Sequence, residues 1–329
     1  MNLINSYLPI MTKLNPDQLT VKSHKPDNNL AGPHVFLSLL QRFTPQTVKW
    51  VNGPADILLL AYGNENKARA KHAYKLVCTR CDGLYHLTPP ALALKHSCLN
   101  KLANIRYELA DGLVFQSRFC QRHYEAFFGQ RDVPSQLIVN GTDIERYAGE
   151  RKPGVVCCTS WRDSKRPWLL AAIARKLMNV MPRVPVTIIG PFPSTVRLTS
   201  NCQVIGNLAH EKLDYYYRQA TVFLHTAYQD PCPNSVVEAV AHGLFVVGSS
   251  TGGLPDICGN GNGQLIYEDE HLTPVSKIPD TDDELWAGEV VKALCRKLPT
   301  PERPDLSIVS VARCYVDFWY KLLCSETSG

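Results

Sequence analysis

The chain has 329 residues, 45% hydrophobic and 20% charged, which is enough for about two domains that each bury a core. Its formal charge of +5 is mild and is not gathered into Lys/Arg tracts, so a nucleic-acid-binding role is not expected. Apolar runs such as Ile57–Ala61 are far too short to span a bilayer, and the first residues lack a basic stretch followed by a long apolar one. A cytoplasmic protein is therefore expected, associated with membranes peripherally at most.

Residues 1–30 carry little pattern beyond a weak strand near Leu3–Ile10. Leu30-Ala-Gly32-Pro33 then leads into an apolar helix, His34–Phe43, entered through Gly and Pro. Strands are predicted at Ile57–Tyr62 and Lys75–Thr79. The second runs into Arg80-Cys-Asp82-Gly-Leu-Tyr-His86, polar and aromatic residues just past a strand end, where α/β folds place site residues. Helix Ala91–Leu109, strand Gly112–Gln116, helix Ser117–Phe128 with Ser117 as N-cap, and strand Gln136–Val139 follow. The 12 cysteines are scattered, which suits a reducing compartment. Cys78-x-x-Cys81 with His96 and Cys98 can be drawn as zinc ligands. A second compact pair is missing and Cys78 lies within a strand, so no metal site is expected.

A polar, turn-rich linker, Ala148–Gly154, separates this first set from a second. The second opens with strand Val155–Cys158, whose carboxyl end carries Trp161-Arg162-Asp-Ser-Lys165-Arg166. Helix Ser164–Met178, strand Val186–Ile189 ending at Gly190, strand Gln203–Ile205 ending at Gly206, and helix Glu211–Gln219 come next. Strand Thr221–His225 then leads to Asp230-Pro-Cys-Pro-Asn234-Ser235-Val-Val-Glu238. Asn234 is the expected N-cap of a helix through His242, with Gly243 as its C-terminal cap. Strand Leu244–Val247 and a glycine loop, Gly248–Gly253, complete a βαβ unit whose crevice lies at the carboxyl ends of its strands. N–H groups of Asn234 to Val237 at the helix start favour an anion. Asp230 and Glu238 flank that anion site, an arrangement that suits a nucleotide sugar, with N–H groups for its phosphate and carboxylates for its vicinal hydroxyls. Residues 270–283 read as a loop, Asp283–Lys297 as a helix, and Leu306–Leu323 as a long apolar terminal helix.

Two acids separated by seven residues, followed by Glu-Ala-Val-Ala-His-Gly and Thr-Gly-Gly-Leu-Pro-Asp, resemble the signature of GT-B glycosyltransferases of the GT4 kind, with Asp230 where Glu is usual. Ala31-Gly32-Pro33 resembles the glycine loop that faces the donor, and Asn140–Tyr147 the segment that closes the first domain. The resemblance implies two Rossmann-like α/β/α domains facing a cleft: an acceptor-side domain over 1–150, a nucleotide-sugar domain over 151–303, and a terminal helix over 304–329 that crosses back. It implies a retaining transferase using a nucleoside-diphosphate sugar and a glycan, lipid or small-molecule hydroxyl acceptor, with neither metal nor cofactor. Arg162 and Lys165 would neutralise the leaving diphosphate, with Arg166 as a rival cation. Asp230 would hold the transferred sugar and Glu238 the ribose, Asn234 and Ser235 would offer N–H groups, and Gly190 and Gly206 would lie near the nucleobase. Asp82 and His86 are the groups expected to face the acceptor. A catalytically inert sugar-nucleotide-binding scaffold and a UDP-sugar epimerase on the same fold are the alternatives.

Overall fold

The computed structural model describes residues 18–23, 32–61, 73–87, 90–259, 261–296 and 299–326. Leu3–Ile10, Ala31 and Tyr62 fall outside these. Two parallel six-stranded sheets organise the chain. The first contains β1 (Leu19–Lys22), β2 (Val48–Trp50), β3 (Ala55–Leu60), β4 (Tyr74–Cys81), β5 (Gly112–Phe115) and β6 (Ser135–Leu137), in the order β2-β1-β3-β4-β5-β6. The second contains β7 (Val155–Cys158), β8 (Val186–Ile189), β9 (Cys202–Gly206), β10 (Val222–His225), β11 (Phe245–Ser249) and β12 (Gly263–Ile266), in the order β12-β11-β10-β7-β8-β9. This is the doubly wound α/β arrangement in both halves, the GT-B fold.

Sheets covered on both faces need strands that are apolar along their length. β5 and β10 meet this condition, with every residue buried. β1, β2 and β12 are short and mix polar with apolar residues, so periodicity gives no sign of them. Side chains fix the register of β1: Asp56 accepts from the Thr20 N–H at 2.9 Å and from its hydroxyl at 2.6 Å, while Lys75 pairs with the other oxygen of Asp56 at 2.6 Å.

Helices cover the sheets: α1 (Gly32–Phe43), α2 (Ala93–Leu109), α3 (Arg118–Phe128), α4 (Pro167–Val180), α5 (Leu213–Arg218), α6 (Asn234–His242), α7 (Leu254–Cys258), α8 (Asp283–Leu294) and α9 (Ile308–Glu326). The Ser117 hydroxyl caps α3 by accepting from Cys120 N–H at 3.1 Å. Although α9 follows the second sheet in sequence, it packs in the core of the first. Tyr315, Phe318, Trp319 and Leu322 are buried there with Phe36, Leu59 and Val114. Trp319 meets Trp50 edge-on at 6.0 Å, and Leu322 lies so close over β5 that a Cβ at Gly112 would stand 2.6 Å from its methyl. A bridge between Thr142 and Ser307 guides the chain back, with Thr142 N–H donating to Leu306 O and Thr142 O accepting from Ile308 N–H, both at 2.9 Å.

Trp319→Ala should cost about 3–5 kcal/mol, the range for emptying a large buried aromatic site. Urea unfolding followed by fluorescence measures this; a loss under about 1 kcal/mol would mean that α9 is not part of the first domain's core.

Candidate active site

In the second sheet the chain steps outward from β7 to β8 and β9, then returns to the opposite side of β7 as β10. Loops after β7 and β10 therefore diverge and leave a crevice between them. After β7, residues Asp163–Lys165 form one 3-10 turn, and Arg166 adopts the left-handed conformation at φ 50°. Pro167 then starts α4, where its missing N–H costs nothing. The two loops are laced together: the Thr226 hydroxyl donates to Lys165 O at 2.6 Å and the Tyr228 N–H to Ser164 O at 2.9 Å.

This lacing brings Lys165, which is buried, and Asp230, whose side chain is about a tenth exposed, into a direct ion pair. His225, the last residue of β10, places Nε2 3.4 Å from the same Asp230 oxygen. Burial alone would raise the Asp230 carboxyl, but Lys165 and His225 outweigh it and hold the group well below the usual carboxylate range. Pro231 is wedged between the two domains. A Cβ at Gly83 would lie 2.1 Å from its ring, and one at Gly253 2.0 Å from its carbonyl oxygen, so only glycine fits at either position.

Asn234 is not the N-cap that the sequence suggests. Pro233 occupies that position, and its carbonyl accepts from the Val236 and Val237 N–H groups at 3.0 and 3.2 Å. Those two N–H groups are thus unavailable to an anion, and the donors at this helix start narrow to Asn234 and Ser235. The Asn234 side chain instead accepts from Asn140 Nδ2, across the domain junction, at 2.8 Å. Glu238, one turn further on, points to a different neighbourhood. Its Oε2 accepts from Tyr217 at 3.2 Å, while Oε1 lies 3.6 Å from His210 Nδ1. The other nitrogen of His210 is 3.1 Å from Asp143. Burial raises the Glu238 carboxyl to about 7, although His210 and Tyr217 act in the opposite sense.

The three cations of the first loop separate. Arg162 is exposed and donates to Ser164 Oγ at 3.0 Å. Arg166 is buried and engages both oxygens of Glu268, at 2.5 and 3.0 Å, with its guanidinium 5.2 Å from the Trp286 ring. Of the three, Lys165 is the one that meets an acid of the crevice. Gly190 and Gly206, both at positive φ, join through the Gly190 N–H to Gly206 O at 2.7 Å; a Cβ at Gly190 would strike Thr159 O.

From the first domain, Asp82 pairs with Arg80 at 2.5 Å and also accepts from Gln116. His86 is buried, with Nδ1 3.3 Å from Leu84 O and its ring 6.5 Å from that of Tyr228; burial lowers its pKa. Its carbonyl accepts from Val275 N–H of the second domain at 2.8 Å. Gly32 opens α1. Arg118–Asp256 at 2.6 Å and Arg122–Glu270 at 2.5 Å add further links between the domains.

Comparison with known proteins gives the chemistry of this crevice a context. Residues 152–278 match the family described as Glycosyl transferases group 1. The second domain is thus similar to a group 1 glycosyltransferase domain. No curated protein matches the chain by sequence. Among solved structures, sucrose-phosphate synthase from Thermosynechococcus elongatus is similar at TM-score 0.62 and 13% identity, covering 93% of this chain and 94% of that one. HepE of Anabaena, in complex with UDP-glucose, is similar at TM-score 0.62 and 14% identity, covering 95% and 100%. The pneumococcal O-GlcNAc transferase GtfA, in complex with UDP and GlcNAc, is similar at TM-score 0.61 and 12% identity; 88% of this chain spans 60% of that one. At these identities the likeness shows the fold. Family domain and fold together support a transferase.

The second domain also recruits residues that sequence reasoning passes over. His225 and His210 each stand beside one of its acids. Asn140 joins the domains: it accepts from Arg80 at 2.9 Å and donates to Asn234. Arg80 is itself buried, 4.2 Å from the Phe36 ring. The space beside Lys165, Trp161 and His225 is only 10 Å³, about what one water needs. A cavity of 290 Å³ opens past His210, lined by Asp143, Arg146, Tyr147, Asp214 and Arg218. Among the described residues no group of three or more His, Cys, Asp or Glu side chains is arranged to hold a metal ion.

Asn140→Ala leaves Arg80 and Asn234 without this partner in a buried setting and should cost about 1–3 kcal/mol. Urea unfolding of Asn140→Ala, Asn234→Ala and the double variant measures it; strictly additive effects would show that the two side chains do not interact.

Proposed function

We propose that the chain is a retaining, metal-independent, cytoplasmic glycosyltransferase that moves a sugar from a nucleoside diphosphate to a hydroxyl of a glycan, lipid or small molecule. The observation that carries this reading is the Lys165–Asp230 pair at the switch point of a group 1-like domain, with Glu238 one helical turn away. With donor present, the Lys165 ammonium leaves Asp230 for the diphosphate, supported by Arg162 and by the N–H groups of Asn234 and Ser235. Asp230 then accepts from hydroxyls of the transferred sugar, and Glu238 from those of the ribose. The nucleobase lies toward the loops that begin at Gly190 and Gly206. Arg166 remains with Glu268 and supports the loop from behind.

As the bond from the anomeric carbon to the diphosphate oxygen breaks, its electron pair goes to the diphosphate, whose charge Lys165 and Arg162 stabilise. The acceptor oxygen, delivered from the side of Asp82 and His86, forms the new bond. Its proton passes to the leaving phosphate on the same face of the sugar, which retains the anomeric configuration. Retention is favoured because Asp230 is held anionic by Lys165 and is a weak base, while Asp82 is engaged by Arg80 and Gln116. UDP-sugars are the first donors to test, since HepE was solved with UDP-glucose and GtfA with UDP and GlcNAc.

Turnover of UDP-, GDP- and ADP-sugars, by transfer or slow hydrolysis, should be detectable and should survive EDTA. Lys165→Ala should lower kcat by about 10²-fold or more, the effect of removing a charge contact made in the transition state. No turnover of any donor would favour the inert scaffold; full activity in Lys165→Ala would remove that side chain from the mechanism.

A further inference from the structure

Twelve large apolar side chains are markedly exposed among the described residues, and five of them, Tyr85, Leu92, Leu94, Leu102 and Ile105, fall within one stretch at α2. Leu94 is 81% exposed. At about 100° per residue, Leu94, the exposed Cys98, Leu102 and Ile105 share an arc of roughly 80° on the helix surface. Lys95 and Lys101, both exposed, fall roughly 20° outside its two edges. From Gly83 to Tyr107 the sequence has no Asp or Glu. The first acid is Glu108 at the far end of the helix, 4.0 Å from Arg131.

Tyr85 lies behind this face, on the side of α2 that packs on the protein. Asn100 clamps its backbone from both sides, accepting from its N–H and donating to its carbonyl at 2.9 Å each, and His96 stacks on its ring at 4.5 Å. An apolar helical face edged by lysines is matched by the boundary between lipid headgroups and acyl chains. The lysine stems lie along the apolar surface and their ammonium groups reach anionic headgroups, whereas a protein partner would need acids placed to face both lysines.

We propose that the exposed face of α2 formed by Leu94, Cys98, Leu102 and Ile105 docks this protein peripherally on an anionic lipid bilayer. The helix would lie in the plane of the interface. No step of the transfer reaction is needed for this inference, and it can be tested without a donor.

Co-sedimentation with vesicles of phosphatidylcholine, alone or mixed with phosphatidylglycerol, is the test. Wild-type protein should bind the mixed vesicles and not the neutral ones, and added salt should weaken binding. Leu94→Ser/Leu102→Ser/Ile105→Ser and Lys95→Glu/Lys101→Glu should each lower the partition coefficient by about tenfold or more, with melting temperatures unchanged. Failure of the wild type to bind mixed vesicles, or equal binding by wild type and both folded variants, would overturn the proposal. So would a wild-type dimer in solution that the triple Leu/Ile variant renders monomeric, since a second copy would then cover the face.

Discussion

Asp230 and Lys165 meet where the second sheet reverses its strand order, and almost everything described around them serves to keep a buried ion pair in register. Taking two charges out of water is costly, and an internal pair holds only with close geometry and further partners. His225 supplies one such partner from the end of β10. The hydrogen bonds of Thr226 and Tyr228 to the first loop fix the approach of the two sides. Glycines at 83 and 253 let Pro231 sit so close that the acid loop has no room to swing. A donor diphosphate would compete for Lys165, and the same enclosure would then work on the ligand's side by strengthening each contact it makes.

The two acids of the signature differ in environment, and this difference carries the functional reading. Asp230 has a buried cation against it and is held ionised. Glu238 has a phenol and a histidine that is shared with Asp143, and burial leaves it near 7. Groups so separated suit different tasks: one keeps a permanent charge for a sugar, and the other changes proton occupancy in the range where cells operate.

Much of the fold was legible because parallel strands buried on both faces must be written as apolar runs. β7, β8 and β10 stand out for that reason, as do the Ser117 cap and the Gly243 terminus of α6. Three strands were not legible. β1, β2 and β12 are held by their neighbours and by contacts such as Thr20–Asp56, which join residues distant in sequence. Spacing set Lys165 and Asp230 at neighbouring strand ends, but it did not show that Glu238 turns to Tyr217 and His210, and it gave no means to rank three clustered cations. Only packing shows Arg166 against Glu268, a residue 102 positions away. Asn234 had the composition of a cap, yet tertiary contact with Asn140 turned its side chain to the domain junction. Arg80 and Asn140 lie in stretches that the sequence marks, but their pairing across elements and the place of His210 beside Glu238 were not legible, since their partners lie in other elements.

Donor affinity as a function of pH, measured by titration calorimetry on wild type and Glu238→Gln, tests the central assignment most directly. Ribose hydroxyls donate to the ionised carboxylate, so protonation of Glu238 opposes binding. The wild-type Kd should therefore fall by up to about tenfold per pH unit as pH rises toward 7, and then level off. Glu238→Gln should bind more weakly at pH about 8 and lose the slope. A wild-type affinity that does not vary with pH, or a Glu238→Gln variant that keeps the wild-type slope, would contradict the account.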